Sequence, residues 1–186
     1  MVSRILAFVV IISLSTQVNA QRYFTKSGKI NFDATSKGSP ENIVAVNRTV
    51  TCVLDTKTGA FQFAVLIKGF SFERALMEEH FNENYLESSK FPKAEFRGSV
   101  VNNSSINYEK DGSANVTVAG KLTIHGVTKD VETPGVLQIK NGKIVASAKF
   151  SVVLADYSVA IPTVVSDKVA KIAKIEVECS LEPLKN

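Results

Sequence analysis

Two histidines and two cysteines are the side chains of this 186-residue chain with the greatest capacity for metal binding or catalysis. His80 and His125 stand 45 positions apart, and no cysteine, aspartate or third histidine accompanies them at a spacing typical of metal ligands. We therefore predict neither a metal site nor a cofactor.

The motifs of common enzymes are also missing from the sequence. The chain has no Gly-x-Ser-x-Gly nucleophile elbow, no phosphate-binding loop and no His-Glu-x-x-His pair. Serine, histidine and aspartate occur, but their presence alone does not define a catalytic triad. We therefore predict that the protein is not an enzyme.

The cysteines, Cys52 and Cys179, fall on the apolar faces of two predicted strands. In an oxidising compartment they can form one disulfide. The alternative is a pair of buried thiols that never meet, since free cysteines are commonly buried. The sequence leaves both alternatives open.

The first twenty residues have the features of a secretory signal peptide. Arg4 supplies a positive charge, residues 5–14 form an apolar run too short to span a bilayer, and Val18-Asn19-Ala20 offers small residues for cleavage. We predict cleavage near Ala20, a periplasmic or secreted protein, and a single domain over residues 21–186. The formal net charge of +4 comes with scattered lysines, which argues against nucleic-acid binding.

Apolar and polar residues alternate between turn signals along the rest of the chain, a pattern typical of antiparallel strands with one buried face. Eight strands are predicted, and the last can pair with the first, so that the sheet closes into a barrel without exposed edges. The second strand is expected to bury Val46, Val50, Cys52 and Leu54 on one face.

Two tight hairpins and one helix interrupt this alternation. The fourth strand is predicted to run over residues 93–108 and to turn at Asp111-Gly112, and Asn141-Gly142 predicts a second two-residue hairpin. Residues 71–88 carry apolar side chains at helical spacing, with Ser71 as the expected N-cap. We predict one amphipathic helix between strands three and four, packed as a lid over one end of the barrel.

An eight-stranded barrel has an interior that is either filled by side chains or able to hold one small ligand. The inward positions mix alanines with phenylalanines, which fits a narrow cavity and a solid core equally well. The side chains predicted to line a hollow lumen are Phe61, Phe63, Val65, Leu76, Phe81, Phe96, Val116, Val118, Leu122, Ile124, Phe150, Val152 and Leu154.

Few polar side chains are candidates for contact with a ligand. His80 lies on the apolar side of the predicted helix, where it is either a hydrogen-bonded core histidine or a polar group at the mouth of the lumen. His125 precedes Gly126, so we expect it to tie down a turn by hydrogen bonding, with contact to a ligand head group as the alternative. Arg48 and Arg97 are candidate contacts for an anionic head group, although an exposed salt bridge is the commoner fate of an arginine.

Three segments resemble those of a known family. Residues 122–131, LTIHGVTKDV, resemble the signature L-T-I-H-G-V-T-K-x-V of YceI-like proteins. His80-Phe81 followed by residues 91–96, FPKAEF, resembles the helix and the F-P-x-A-x-F strand start of that family. Residues 150–157 resemble its late strand, which ends in an Asp-aromatic pair. The match in order and spacing spans nearly the whole mature chain.

This resemblance implies a lipocalin-like antiparallel barrel, exported to the periplasm, that holds a long isoprenoid or other lipid chain in its lumen. The sequence departs from the family pattern in its first strand, residues 28–35, which lacks a histidine, and at Ser158, where a glycine is common.

We therefore expect a non-enzymatic binding protein for a hydrophobic chain. The apolar loop of residues 159–165 is expected to fold over the barrel mouth or to touch a membrane transiently while a lipid is exchanged. The alternative is a solid-core barrel that acts as a cell-envelope stress or protein-interaction module.

Overall fold

The computed structural model describes residues 22–184, and the predicted signal peptide, residues 1–20, lies outside this range. The strands are β1 (Arg22–Thr35), β2 (Val44–Asp55), β3 (Ala60–Leu66), β4 (Ser71–Phe72), β5 (Lys93–Val100), β6 (Gly112–Ile124), β7 (Val127–Lys140), β8 (Lys143–Val153) and β9 (Val169–Pro183). A short helix, α1 (Ala75–His80), continues into a π-helical turn, Phe81–Tyr85.

Eight of these strands form a closed antiparallel barrel in the order β1, β9, β8, β7, β6, β5, β3, β2, and β2 pairs again with β1. Strand β9 completes the closure by pairing with β1 from Tyr23↔Pro183 to Thr35↔Val169. The two-residue strand β4 pairs with the start of β2, beyond the part of β2 that pairs with β3. The predicted fold class is therefore confirmed.

The pairing between β7 and β8 covers only one half of these strands. It runs from the hairpin end to Gly135↔Ala148 and stops there, although β7 remains paired with β6 and β8 with β9. Residues 127–134 and 149–153 thus have no partner across this boundary, and within residues 22–184 no backbone hydrogen bond joins them. We call these two unpaired stretches the seam.

A bulge in β2 corrects the predicted burial of Val46. Gly28 of β1 pairs with Val50 of β2, and Ile30 of β1 pairs with Asn47 of β2. Three steps along β2 therefore match two steps along β1, so β2 contains one extra residue. Before the bulge Ala45 and Asn47 face inward, and Val46 is only partly buried on the other face. The Asn47 amide Nδ2 donates to the Leu66 carbonyl (3.0 Å), and its Oδ1 accepts from the Thr49 amide (2.8 Å), which holds the bulge in place.

Strand β5 begins at Lys93 as predicted but ends at Val100, so its predicted extension to residue 108 and the hairpin at Asp111-Gly112 are wrong. The side chain of Asn102 takes the place of strand pairing, because it accepts a hydrogen bond from the Thr117 amide (3.1 Å) and donates one to the Asn115 carbonyl (3.0 Å). The predicted hairpin at Asn141-Gly142 is confirmed, with φ angles of 52° and 71°.

The helix is shorter than predicted and begins later. Ser71 lies in β4, and Arg74 occupies the N-cap position without a side-chain hydrogen bond. The predicted N-cap at Ser71 is therefore wrong, because pairing with β2 keeps this residue extended. Among the described residues no helix has the length and apolar character needed to cross a membrane.

Candidate ligand-binding lumen

The barrel interior contains two adjoining cavities of about 360 and about 370 Å³. The first, which we call the helix chamber, lies under α1 and the π-helical turn. The second, which we call the seam chamber, reaches the barrel wall at the seam, where Thr133 and Ser151 line it. Apolar side chains that line both chambers include Phe63, Leu122, Phe150 and Val152.

The predicted lining residues all border one chamber or the other. Those in the helix chamber are Phe63, Val65, Leu76, Phe81, Leu122, Ile124, Phe150, Val152 and Leu154. Phe61, Phe96, Val116 and Val118 border the seam chamber instead. Their contact with a ligand stays a prediction.

Small side chains leave the space that the helix chamber occupies. Ala94 on β5 and Ala173 on β9 are buried and line this chamber, opposite larger apolar residues. The sequence left a cavity and a solid core equally open, and the structure has a hollow interior.

Four phenylalanines, Phe32, Phe70, Phe72 and Phe81, pack together at the helix end of the lumen. The Phe81 ring centroid lies 5.0 Å from that of Phe72, 5.4 Å from that of Phe70 and 5.5 Å from that of Phe32. Tilted and edge-on contacts at these distances are favourable for aromatic rings. Phe70 and Phe72 were missed from the sequence because they lie outside any predicted strand.

His125 ties three segments together at the β6–β7 turn. It has a φ of 50° beside Gly126 at 74°, so the two residues form a tight hairpin turn. Its Nδ1 lies 3.2 Å from the Tyr157 carbonyl and its Nε2 lies 2.7 Å from a carboxylate oxygen of Glu87. The Phe91 ring packs edge-on at 4.6 Å. The expected turn-stabilising role is confirmed.

We predict that His125→Ala lowers the free energy of unfolding by about 2 kcal/mol, because two hydrogen bonds are lost at a ring that is almost buried. Urea denaturation measures the change. His80→Ala is the control, with an expected change within about 0.5 kcal/mol. Equal stability of the two variants would contradict the role assigned to His125.

His80 is exposed and borders the helix chamber, and no residue within 22–184 forms a hydrogen bond with its ring. The alternative of a hydrogen-bonded core histidine is therefore wrong. A polar group at the mouth of the lumen agrees with its position.

The two arginines proposed as head-group contacts do not reach the lumen. Arg97 alternates with the inward-facing Phe96, so it lies on the outer face of β5, 3.8 Å from a carboxylate oxygen of Glu95. Arg48 is exposed at the β2 bulge. Neither side chain lines a chamber, which removes both from the candidate site.

Cys52 and Cys179 are fully buried free thiols that meet inside the barrel. They lie on β2 and β9, on either side of β1, and a Cβ atom at Gly28 of β1 would lie only 2.7 Å from the Cys179 sulfur. A hydrogen bond with Cys179, burial and the charge of a Cys179 thiolate raise the pKa of the Cys52 thiol well above its usual value. Of the two alternatives, the structure has the buried thiols, although in contact with each other, and the disulfide stays a prediction.

Two tyrosines border the lumen. Tyr85 borders the helix chamber and Tyr157 borders both chambers. Burial raises the pKa of each, so both phenols stay protonated and can donate hydrogen bonds. In the described part of the chain no three metal-ligating side chains converge on one point.

Two solved structures have a similar fold. A polyisoprenoid binding domain from Saccharophagus degradans, implicated in plant cell wall breakdown, matches with a TM-score of 0.75 at 14% identity, over 89% of this chain and 99% of that domain. BcnA of Burkholderia cenocepacia matches with a TM-score of 0.66 at 15% identity, over 83% and 95% of the two chains. No curated protein matches the chain in sequence.

A closed antiparallel barrel with an apolar lumen under a short helix is a lipocalin-like architecture. The model of the YceI-like domain matches residues 10–181. The chain therefore belongs to the YceI-like family.

Proposed function

We propose that this protein binds a single long lipid or isoprenoid chain in its lumen, without catalysis, as a periplasmic or secreted carrier. The observation that carries the proposal is the pair of adjoining apolar chambers, which run from the helix end to the seam. The Saccharophagus degradans domain, described as polyisoprenoid binding, supports this ligand class.

Burial of the chain supplies the affinity. Each methylene group removed from water contributes about 0.8 kcal/mol, so ten carbons contribute about 8 kcal/mol before the costs of ordering and association. Strong polar contacts are not required for binding. The hollow interior argues against the alternative of a solid-core interaction module.

The loop after β8 is the element that we propose to contact a membrane during lipid exchange. Val165 lines the helix chamber, while the neighbouring Val164 is 83% exposed. Leu76 on α1 is also exposed at the rim of this chamber. These apolar side chains are available to a bilayer surface at the place where a lipid would pass.

We predict that organic extracts of the purified protein contain about one lipid molecule per chain. Mass spectrometry of the extract identifies the lipid, and its amount relative to protein gives the stoichiometry. Extracts of the heat-unfolded and washed protein are the control for lipid that only adheres. Absence of a stoichiometric lipid, together with failure to take up added isoprenoid, would refute the carrier function.

A further inference from the structure

The segment that follows α1 covers the helix chamber. It begins at the π-helical turn, Phe81–Tyr85, and ends two residues before β5, and we call residues 81–91 the lid segment. Phe81, Tyr85 and Leu86 line the helix chamber, and the side chains of Phe81 and Leu86 are buried. Displacement of the lid segment would therefore open the helix chamber to solvent.

The lid segment is held in a strained conformation. Glu87 has a φ of 41°, in the left-handed region that residues with a side chain rarely adopt. The Asn82 amide donates from Nδ2 to the Glu78 carbonyl (2.9 Å), but its Oδ1 is buried and has no hydrogen-bond partner among the described residues. A buried acceptor without a donor is costly. Contacts with the rest of the barrel must offset both costs for the segment to stay closed.

The His125 ring ties the lid segment to the barrel. Its Nε2 lies 2.7 Å from a carboxylate oxygen of Glu87, and its Nδ1 lies 3.2 Å from the Tyr157 carbonyl oxygen. A carbonyl and an ionised carboxylate only accept hydrogen bonds, so the ring makes both bonds only with a proton on each nitrogen. A neutral imidazole carries one proton and keeps one of the two bonds. The full contact therefore needs the imidazolium form of His125.

Other charged and titratable groups lie on the segments packed against the His125 ring. Lys90 of the lid segment has its Nζ 4.0 Å from the second carboxylate oxygen of Glu87, and Asp156 precedes Tyr157 in the turn after β8. Burial and the Asp156 carboxylate raise the pKa of the Tyr157 phenol, so it keeps its proton in mildly alkaline solution. Histidine is the residue type in this set that changes its charge between about pH 5 and about pH 8.

We propose that the protonated His125–Glu87 contact holds the lid segment closed over the helix chamber, and that loss of one proton from the ring releases it. The contact is complete at lower pH and loses one hydrogen bond as the pH rises through the titration of the ring. Lipid is therefore retained in mildly acidic solution and exchanges faster in mildly alkaline solution. The statement about lipid rests on the proposed function, whereas the statement about the lid segment does not.

Hydrogen exchange of the purified protein, measured at about pH 5.5 and about pH 9, tests the lid segment directly. Protection factors are compared, because they correct for the effect of pH on the intrinsic exchange rate. Protection of the lid-segment amides should fall about tenfold at the higher pH, the change expected from one hydrogen bond to a charged group. Amides in the middle of β9 should keep their protection. In parallel, transfer of an uncharged fluorescent isoprenoid alcohol to phosphatidylcholine vesicles should become about tenfold faster.

Variants of Glu87 separate a proton-dependent contact from a merely structural one. In Glu87→Gln the side-chain amide can donate to a neutral ring or accept from a protonated one, so protection should stay high at both pH values. Glu87→Gly suits the positive φ and removes the carboxylate, so protection should be low at both. Glu83→Gln removes an exposed charge from the same segment and should behave as the native chain does. His80→Ala removes the other histidine and should also keep the pH dependence.

Three results would overturn the proposal. They are equal protection of the native lid segment at the two pH values, a pH dependence that persists in Glu87→Gln, and a pH-dependent lid segment with a constant rate of lipid transfer. If the protein takes up no fluorescent isoprenoid alcohol at either pH, the carrier function fails, while the protection factors still decide whether the protonated contact holds the segment.

Discussion

Ala94→Phe should weaken the binding of a long-chain lipid about a hundredfold while the barrel still folds. Ala94 is buried, faces inward from β5 and lines the helix chamber beside Val65 of β3. A benzyl group there occupies space that the lipid needs. If it displaces about four methylene groups, the loss of about 3 kcal/mol corresponds to about a hundredfold in affinity.

The matched control is the same substitution on the outer face of the neighbouring strand. Ala64 of β3 lies outside the lumen and is only partly buried, so Ala64→Phe adds the same ring without entering a chamber. Fluorescent-lipid titration compares the two variants, and circular dichroism checks the fold. Overpacking is expected to cost Ala94→Phe about 1 to 3 kcal/mol of stability. Unchanged affinity in a folded Ala94→Phe protein would mean that lipid does not occupy the helix chamber.

Gly120→Ala should lower the free energy of unfolding by about 3 kcal/mol or more. Gly120 of β6 faces Gly98 of β5 in the sheet register. A Cβ atom at Gly120 would overlap the Arg97 carbonyl oxygen and the Gly98 Cα, and backbone atoms cannot move aside as a side chain would. The two strands approach closely because neither residue has a side chain.

Gly112→Ala is the control, because no atom beyond the neighbouring residues lies within 4 Å of the Cβ position at Gly112. Its expected change is within about 0.5 kcal/mol. Thermal or urea unfolding of both variants measures the difference. If Gly120→Ala is as stable as Gly112→Ala, the close approach of β5 and β6 does not constrain the barrel.

The strands of the barrel were largely predictable because one buried face imposes a period of two on the sequence. Residues 144–154 are an example of this period, because every second side chain from Ile144 to Leu154 faces inward, as alternation predicts. Closure between the first and last strands also followed from this pattern, because the apolar face of β9 matches that of β1.

Two kinds of feature were not predictable from the sequence. One depends on a single inserted residue, and in the other a side chain makes the hydrogen bonds that strand pairing would otherwise make. The β2 bulge reverses the faces of Val46 and Asn47, and alternation has no signal for an inserted residue. Beyond the end of β5 the side chain of Asn102 makes the hydrogen bonds to β6, which apolar periodicity does not predict. The seam depends on how far two strands diverge, a property of barrel curvature that a local pattern does not contain.

The candidate site was predictable in its composition but not in its geometry. Inward-facing apolar residues such as Phe63 and Leu122 were identified, since any hollow barrel must be lined by them. Tyr157 was not identified as a lining residue, because its position between the two chambers follows from the turn after β8. Arg97 was proposed as a head-group contact although its alternation with Phe96 already placed it on the outer face of the strand.

The contact between Cys52 and Cys179 gives the native chain its own reporter of barrel opening. Thiol reagents attack the thiolate, and both sulfurs are shielded from solvent while the raised pKa of Cys52 keeps its thiolate scarce. Labelling therefore proceeds only through molecules in which the wall around β1 has come apart. The rate of thiol modification therefore measures how often the barrel opens, and no engineered probe is needed.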